Sequence, residues 1–382
     1  MRMASRRVLI LVHGLQAGGG ERQLALMASG LASFGWAVDI LTLSPGGPHW
    51  DELRKVRGVT LASVDRSGAL DFGVLVRCVR HIARHDVAVV QGWMQPCNTF
   101  AALAGMMTRR PVVLGVRTIS DAVVGFGPRL YLRSEPLLAR LSRGTVVCNS
   151  LAGLREWQAR RPRTRVMHIP NGLVPPPRAL PAPIARPRAL RIGMLARLDP
   201  VKRHDVVLKA LAVVRREGVE ATFVNWGAES ARQRAALERL ARELGVSDDV
   251  EFHASYGNVW DALGQIDVFV SASRAEGMSN SLMEAMAAGR VIVATDAGDT
   301  RDMLSSPEGP CGFAVDGDAD GIAGAILHVS ANPGLARSYA ATAARKAAHA
   351  FSVPAMVQAY ESVYTSALSH GEAGIAAPPP MR

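Results

Sequence analysis

The sequence predicts an α/β fold made of two doubly wound domains. Three observations lead to this prediction: short apolar runs alternate with longer helical patterns, this rhythm stops once at a proline-rich stretch, and it then restarts. Continuous apolar runs are typical of parallel strands that are covered by helices on both faces. With 382 residues and 48% hydrophobic residues, the chain is long enough to build two cores, and a disordered chain is excluded.

The candidate strands form two blocks, with helical patterns such as 21–34 between them. The first apolar run follows basic residues at 1–7, but it is too short for the core of a signal peptide and is predicted to be a buried strand. The candidates of the first block are Val8–Val12, Ala37–Leu43, Val87–Val90, Val112–Val116, Thr145–Cys148 and Val166–Ile169. Those of the second block are Leu190–Leu195, Ala221–Asn225, Val250–His253, Val268–Ser271 and Val291–Thr295.

Prolines separate the two blocks, and proline fixes φ and removes a backbone donor, which indicates a semi-rigid linker. Ligands of doubly wound sheets bind at the carboxyl ends of the strands, so two facing sheets predict a site in the cleft between them. We therefore predict an N-terminal Rossmann-like domain at 1–175, a proline-rich linker at 176–189, a C-terminal domain at 190–352, a closing helix at 353–370 that packs back on the N-terminal domain, and a disordered tail at 371–382.

Positive charge is concentrated in the first block. The chain carries 44 Lys+Arg against 33 Asp+Glu, and residues 1–175 alone hold 23 against 10, a net charge of +13. Such an excess predicts an acidic partner: nucleic acid, an anionic membrane surface or a phosphorylated substrate. Forty of the basic residues are arginine, a bias that a GC-rich genome also produces.

The four cysteines are widely spaced, and we expect reduced, buried thiols in a cytosolic protein. No apolar run approaches the roughly 18–20 residues that span a bilayer.

The segment from Ser273 to Gly289 carries the most specific pattern of the sequence. It follows a predicted strand, turns at Gly277 and enters a helix at Ser279 or Asn280, both good N-cap residues. The free N–H groups at such a helix start stabilise an anion such as a diphosphate. Two carboxylates flank this start, Glu276 just before it and Glu284 about one turn inside the helix. A capped helix with two solvated glutamates is the alternative for an arbitrary loop of this kind.

Glu-Gly-x-Ser-Asn-x-x-x-Glu-Ala-Met-Ala-x-Gly resembles the donor-site signature of retaining nucleotide-sugar glycosyltransferases, in particular group 1, family 4, with the GT-B architecture of two Rossmann-like domains facing across a cleft. The resemblance covers nearly the whole chain. Its other motifs, in order, are Gly18-Gly19-Gly20-Glu21-Arg22, Asn149-Ser150, Ile169-Pro170-Asn171-Gly172, the stretch from Gly193 to Lys202, and Ala294-Thr295-Asp296-Ala297-Gly298.

The resemblance implies the roles of the site residues. Arg197 and Lys202 match the basic pair that holds the donor diphosphate, and fixed cations there would stabilise the charge that develops on the leaving group. A solvated pair at a helix start, Lys202 with Arg203, is the alternative reading. Glu276 would lie near the donor sugar and Glu284 at the nucleotide ribose.

Five further positions complete the implied site. Gly19 would let the backbone approach the donor phosphates or the transferred sugar. Gly277, Ser279 and Asn280 would bind the donor at the helix start. Arg117 stands where many family members carry a histidine near the donor sugar; it could stabilise the departing phosphate or orient the sugar, but it could not carry a proton.

The resulting prediction is a retaining, metal-independent glycosyltransferase without a resident cofactor. A UDP- or GDP-sugar would be the donor, and a hydroxyl of a lipid-linked or phosphorylated precursor of the cell envelope would be the acceptor. The protein would be cytoplasmic or peripheral on the inner face of the membrane. Arg129, Arg133, Arg140 and Arg143 recur at near-helical spacing beside leucines, which fits either an anionic membrane surface or a solvated face over a buried leucine stripe.

Several other functions are disfavoured or kept as rivals. The glycine loop after the first strand lacks the GxGxxG pattern of dinucleotide sites, and no Walker lysine is present. Nothing resembles a nucleic-acid-binding motif, so nucleic acid is not the expected partner. A nucleotide-sugar-binding protein without transfer activity and a nucleotide-sugar 2-epimerase remain the alternatives.

Overall fold

The computed structural model describes residues 5–64, 73–119, 126–160, 164–184, 189–227, 230–255 and 257–373, except for the side chains of 126–130 and 370–373. The chain divides into two compact units. Unit 1 comprises residues 1–172 together with 353–382, and unit 2 comprises residues 173–352. Each unit is an α/β structure built on one parallel sheet, which confirms the predicted fold class.

Unit 1 contains a seven-stranded sheet in the order β3-β2-β1-β4-β5-β6-β7. Its strands are β1 (Arg7–Val12), β2 (Ala37–Thr42), β3 (Val59–Ser63), β4 (Val89–Trp93), β5 (Val112–Val116), β6 (Thr145–Cys148) and β7 (Val166–His168). Its helices are α1 (Gly19–Ser33), α2 (Pro48–Leu53), α3 (Gly73–His85), α4 (Cys97–Thr108), α5 (Phe126–Leu141), α6 (Leu151–Arg160) and α14 (Val353–Ala373).

Alternate residues of β1 feed two separate cores, as the period of a strand requires. Val8 and Ile10 pack in a cluster with α1 and α14, whereas Leu9 and Leu11 pack with α3 and α4 on the opposite face. All four side chains are fully buried. The strand order reverses between β1 and β4, and the carboxyl edge beside such a reversal is where ligands of doubly wound sheets bind.

Unit 2 contains a six-stranded sheet in the order β10-β9-β8-β11-β12-β13. Its strands are β8 (Leu190–Leu195), β9 (Ala221–Trp226), β10 (Val250–His253), β11 (Val268–Ser271), β12 (Val291–Thr295) and β13 (Phe313–Val315). Its helices are α7 (His204–Arg216), α8 (Ala231–Glu243), α9 (Val259–Gly264), α10 (Asn280–Ala287), α11 (Thr300–Leu304), α12 (Ala319–Ala331) and α13 (Pro333–Ala350). Val268 and Val270 of β11 face one core, and Phe269 faces the other.

The chain passes from unit 1 to unit 2 after Gly172, earlier than the predicted boundary at 175/176. Leu173 already belongs to unit 2, because its N–H donates to the carbonyl of Phe351 at 2.6 Å and its side chain is buried in the same cluster as Phe351. On the unit 1 side, the Gln23 amide of α1 holds Gly172 through two hydrogen bonds, from Nε2 to the carbonyl at 2.9 Å and from the Gly172 N–H to Oε1 at 2.8 Å.

The proline-rich segment is bonded to unit 2. Arg290, buried just before β12, donates to the carbonyls of Pro181 and Ile266. Asp267 accepts from the N–H groups of Ile184 and Arg191 at 2.8 and 3.0 Å. Over the residues described, the segment predicted as a linker is therefore hydrogen-bonded to unit 2 residues that lie just before β11 and β12.

Helix α14 covers α1 within unit 1. Tyr360 and Tyr364 are fully buried, and the rings of Trp36 and Tyr364 lie 5.3 Å apart in an edge-on arrangement. A Cβ atom at Gly30 of α1 would lie 2.3 Å from Cγ2 of Val357, so this glycine permits the close approach of the two helices. Of the predicted tail, residues 371–373 continue α14, and 374–382 lie outside the described residues.

Two strands were not predicted from the sequence. Strand β3 includes polar residues and has no continuous apolar run, whereas β13 (Phe-Ala-Val) is apolar but too short, at three residues, to be recognised as a strand. In the part of the chain that the structure describes, no helix combines the length and the apolar character needed to cross a membrane.

Candidate functional site

Helix α10 begins where the sequence predicts it. Ser279 is its N-cap residue and accepts a hydrogen bond from the N–H of Leu282 at 3.4 Å, while Asn280 is the first helical residue. Gly289, just beyond the end of the helix, has a φ of +62°, the left-handed conformation that glycine adopts readily. Because β11 leads into this helix, the first N–H groups of α10 lie at the carboxyl edge of the unit 2 sheet.

Lys202 and Glu276 meet at this edge. The Lys202 Nζ donates to Glu276 Oε1 in a direct ion pair, and the Ser273 hydroxyl donates to the same oxygen at 2.8 Å. The side chains of Lys202 and Glu276 are 21% and 17% exposed, so both remain accessible to a ligand. The structure thus brings together two residues that are 74 positions apart and that were predicted to bind the diphosphate and to lie near the reacting sugar.

The turn that carries Lys202 is built locally. Asp199 caps the 3-10 turn Pro200–Lys202 by accepting from the N–H of Val201 at 3.0 Å. The carbonyl of Val201 then accepts from the N–H of Arg274 at 2.9 Å, which joins the turn to the loop that carries Glu276. The Lys202–Glu276 pair is therefore supported by backbone bonds as well as by charge.

Gly298 fixes the Glu276 loop from the other side. It has a φ of +59°, and a Cβ atom there would lie 2.1 Å from the carbonyl oxygen of Glu276 and 2.5 Å from that of Gly277. The Asp299 N–H donates to the carbonyl of Gly277 at 3.1 Å. Gly298 belongs to one of the motifs noted in the sequence, but its contact with the Glu276 loop was not predicted. The glycine in that motif was the sequence feature that could have indicated it.

The other predicted residues of unit 2 differ in exposure. Glu284 is 4% exposed within the helix, and Gly277 contributes its backbone carbonyl to the loop contact above. The Arg197 side chain is 69% exposed, and its Nη2 lies 3.9 Å from Asp199 Oδ2. Its backbone is held closely, because a Cβ atom at Gly227 would lie 2.2 Å from the carbonyl oxygen of Ala196. Gly227 is a second positioning residue that was not predicted from the sequence.

Gly19 and Arg117 belong to unit 1. Gly19 is the first residue of α1, after the N-cap residue Gly18, so its N–H is one of the free amides at that helix start. Gly19 thus lies within the helix, whereas the sequence pattern predicted a loop at this position. The adjacent carbonyl of Gly20 accepts from the Trp93 ring N–H at 3.0 Å.

The Arg117 guanidinium is held by protein groups. It lies 3.8 Å from the centre of the Trp93 ring and donates to Asn171 Oδ1 at 2.7 Å and to the Tyr360 hydroxyl at 2.6 Å. Burial lowers the pKa of Arg117 and raises the pKa of Tyr360. A role for Arg117 at the departing phosphate stays a prediction; the bonds to Asn171 and Tyr360 use two of the five N–H donors of the guanidinium.

Within the described ranges, no three His, Cys, Asp or Glu side chains lie close enough together to hold a metal ion. The predicted independence of metals and cofactors stays a prediction.

Two family models match the chain, one to each unit. The model described as Glycosyltransferase Family 4 matches residues 17–175, and the model described as Glycosyl transferases group 1 matches residues 189–332. Together the two matches support a GT-B glycosyltransferase. The region of Lys202, Glu276 and Glu284 lies in the group 1 match, and Gly19 and Arg117 lie in the family 4 match.

Similar proteins include glycosyltransferases of lipopolysaccharide core biosynthesis. This glycosyltransferase is 28% identical over 215 residues to the lipopolysaccharide core biosynthesis mannosyltransferase LpcC of Rhizobium leguminosarum. The match covers 54% of this chain and 60% of LpcC. It is 26% identical over 313 residues to the putative glycosyltransferase EpsF of Bacillus subtilis, covering 78% of this chain and 81% of EpsF. The matched region thus spans less than two thirds of LpcC.

Solved structures share the fold along almost the whole chain. Anabaena HepE in complex with UDP-glucose superposes with a TM-score of 0.79 at 20% identity, covering 94% of this glycosyltransferase and 99% of that chain. A glycosyltransferase from Rickettsia africae superposes with a TM-score of 0.79 at 17% identity, covering 95% and 99%.

Proposed function

We propose that this protein is a retaining glycosyltransferase that moves a sugar from a UDP- or GDP-sugar to a hydroxyl acceptor in the synthesis of cell-envelope polysaccharide or glycolipid. The observation that carries the proposal is the Lys202–Glu276 pair at the start of α10, with Glu284 inside the same helix. The similarity to LpcC, a lipopolysaccharide core biosynthesis mannosyltransferase, supports the class of acceptor, and the HepE complex with UDP-glucose supports a nucleotide-sugar donor.

In the proposed reaction, Lys202, Arg197 and the first N–H groups of α10 hold the donor diphosphate. The bond between the anomeric carbon and the diphosphate oxygen breaks, and the leaving group keeps the electron pair. The acceptor oxygen forms the new bond on the same face of the sugar, and its proton passes to the departing phosphate. Cations and helix N–H groups stabilise the charge that develops on that phosphate. Glu276 contacts the transferred sugar and Glu284 accepts hydrogen bonds from the ribose.

A donor panel tests the proposal. Thermal unfolding of the full chain is followed with UDP, GDP, UDP-glucose and GDP-mannose, and the nucleotide released from each donor is measured with and without acceptor. A ligand at 100 times its Kd stabilises the protein by about 2.7 kcal/mol, which is readily seen. Lys202→Ala should lose this stabilisation, whereas Lys209→Ala, an exposed lysine on α7, should keep it. Undiminished stabilisation of Lys202→Ala by the donor would refute the site.

The same panel separates the two alternatives. A nucleotide-sugar-binding protein would show thermal stabilisation and release no nucleotide under any condition. A 2-epimerase would convert the sugar of the donor without any acceptor. A transferase releases nucleotide at a rate that depends on the acceptor.

The outer face of α5 supports association with an anionic membrane, which we include in the proposal together with a peripheral location on the cytoplasmic side. Leu137 and Leu141 are 50% and 58% exposed, and Arg133, Arg140 and Arg143 are exposed beside them. A solvated face over a buried leucine stripe would leave these leucines buried, so that alternative does not explain their exposure. Exposed leucines among arginines fit the interface of an anionic bilayer. The Arg129 side chain lies outside the described residues.

Vesicle sedimentation tests this part. The protein should bind phosphatidylglycerol vesicles and bind phosphatidylcholine vesicles much less. The double substitution Leu137→Ser with Leu141→Ser, and likewise Arg133→Glu with Arg140→Glu, should abolish binding. Arg239→Glu with Arg242→Glu on α8 is the matched control and should leave binding unchanged, because the described leucines beside those exposed arginines are buried or half-buried.

A further inference from the structure

Unit 1 contains a pocket of about 180 Å³ at the carboxyl ends of β4 and β5. Met94 and Gln95, which follow β4, line it together with Thr118, which follows β5, and Glu135 of α5. This edge adjoins the reversal of strand order between β1 and β4, where ligands of doubly wound sheets bind. Of the residues assigned above to the donor, Arg117 alone is among those that line this pocket.

Glu135 is the unusual member of the pocket. It is 2% exposed, and the fully enclosed Asn98 donates hydrogen bonds both to its carboxylate and to the carbonyl of Gly115, the latter at 2.9 Å. Burial raises the pKa of Glu135 to about 7. Carboxylates are rarely buried without a cationic partner. Among the described side chains, Arg117 is bonded to Asn171 and Tyr360 and Arg160 pairs with Glu156, so neither forms an ion pair with Glu135. A glutamine would serve a purely structural role here at lower cost.

The chemistry of the lining matches a polyhydroxylated ring. Glu135 offers carboxylate oxygens, Gln95 an amide and Thr118 a hydroxyl, while Met94 and Leu132 offer apolar surface for the C–H face of a sugar. Arg117 also lines the pocket, but its guanidinium is bonded to Asn171 and Tyr360, so the Glu135 carboxylate disfavours a phosphate here. The volume is several times the roughly 30 Å³ of one water but below the roughly 300 Å³ at which pockets for larger ligands begin, so one ring fits better than a whole oligosaccharide.

We propose that this pocket is a subsite for one sugar ring of the acceptor, in which the Glu135 carboxylate accepts a hydrogen bond from a ring hydroxyl. The inference rests on the proposed transferase function, since it names the acceptor class of that reaction as a neutral sugar. Glu135 then determines specificity through its contact with the acceptor, and Thr118 and Gln95 orient the ring.

Acceptor binding should depend on pH through Glu135. The ionised carboxylate is the stronger hydrogen-bond acceptor, so affinity should rise as the pH rises through about 7. Among the described residues, the other charged and titratable groups around it are Arg117 after β5, Arg160 and Glu156 on α6, and Cys148 on β6. Arg160 and Glu156 pair with each other, and burial raises the pKa of Cys148 to about 12, so it stays neutral across this range.

Binding of methyl α-D-mannopyranoside and methyl α-D-glucopyranoside to the full chain tests the subsite, with saturation-transfer NMR as the readout. Glu135→Gln should weaken binding by about tenfold and remove its pH dependence between about pH 6 and 8. Thr118→Val removes one hydroxyl at an exposed rim position and should weaken binding less. Glu52→Gln, an exposed glutamate on α2 of the same unit, should change nothing.

The outcomes separate this inference from the proposed function. Glycoside binding that is absent in the wild type, or equal in the wild type, Glu135→Gln and Thr118→Val, overturns the subsite, and the pocket then holds water only. A protein that binds UDP or GDP but no glycoside loses the subsite and keeps the transferase proposal. A protein that binds glycoside and no nucleotide keeps the subsite and loses the transferase proposal. If Glu135→Gln does not fold, Thr118→Val still decides.

Discussion

Units 1 and 2 share one architecture but use the carboxyl edge of the sheet differently. In unit 2 the charged side chains at this edge, Lys202 and Glu276, contact each other and stay partly exposed. In unit 1 the principal cation at the corresponding edge, Arg117, is bonded to Asn171 and Tyr360 and stacked on Trp93. Accessible charged side chains that pair with each other can give up that pairing to contact a ligand. Arg117 instead contributes to the internal structure of its unit.

The two halves of the chain also differ in net charge. Residues 1–175 carry a net charge of +13 and the rest of the chain −2, so the half that contains Lys202 and Glu276 is close to neutral. Unit 2 depends on a few placed residues, while the exposed arginines of α5 in unit 1 give a broad positive surface. Four predictions test this contrast.

The largest effect is expected at Glu276. Glu276→Gln removes the carboxylate that we propose lies beside the transferred sugar and releases Lys202 from its ion pair, so kcat should fall by about 100-fold while donor affinity is kept or increased. Steady-state kinetics with the active donor of the panel measure both. Glu238→Gln on the surface of α8 is the control. A rise in KM with kcat unchanged would assign Glu276 to ground-state binding instead.

Gly298→Ala should reduce both stability and activity. The left-handed backbone costs an alanine roughly 1–2 kcal/mol, and the new Cβ also meets the carbonyl oxygens of Glu276 and Gly277. Gly289→Ala is a matched control, because Gly289 is also left-handed at +62°, but a Cβ atom there would have open space within 4 Å among the described residues. Denaturant unfolding with parallel kinetics should show a loss of activity only in Gly298→Ala.

Tyr360→Phe tests the role of the Arg117 network in unit 1. The substitution leaves a buried guanidinium N–H without its acceptor, which should destabilise unit 1 by about 1–3 kcal/mol. Hydrogen–deuterium exchange of peptides from unit 1, measured across a denaturant series, reports on that unit. Tyr339→Phe in α13 serves as the control, and equal stability of the two variants would argue against the network.

The smallest effect is expected at the thiols. All four cysteines are buried, and burial raises the pKa of Cys78 and Cys148 to about 12. The folded protein should therefore react slowly with iodoacetamide at about pH 8, and denaturation should expose all four thiols to rapid labelling. Mass spectrometry counts the labels, and fast labelling of Cys78 in the native state would contradict the burial.

Local patterns were sufficient to predict much of this molecule. Hydrophobic periodicity predicted most strands, and cap residues predicted the start of α10, because both depend on neighbours in sequence. The bond between Arg117 and Tyr360 joins residues 243 apart, and no local pattern encodes such a partner. The boundary at Gly172 depends on Phe351 and Gln23 for the same reason. Gly298 was visible as a glycine, but its contact with the Glu276 loop was not.

The return of the chain to unit 1 has a consequence for biosynthesis. Unit 2 is continuous from 173 to 352, whereas unit 1 is completed only by residues from Val353 onward. Tyr360 and Tyr364 fill the α1 face of the first core, and Tyr360 also binds Arg117. During translation, residues 1–172 emerge first, but their apolar face stays uncovered until α14 has been synthesised. Unit 2 emerges later and has its complete core before that point. The usual order of domain completion during translation is inverted in this protein.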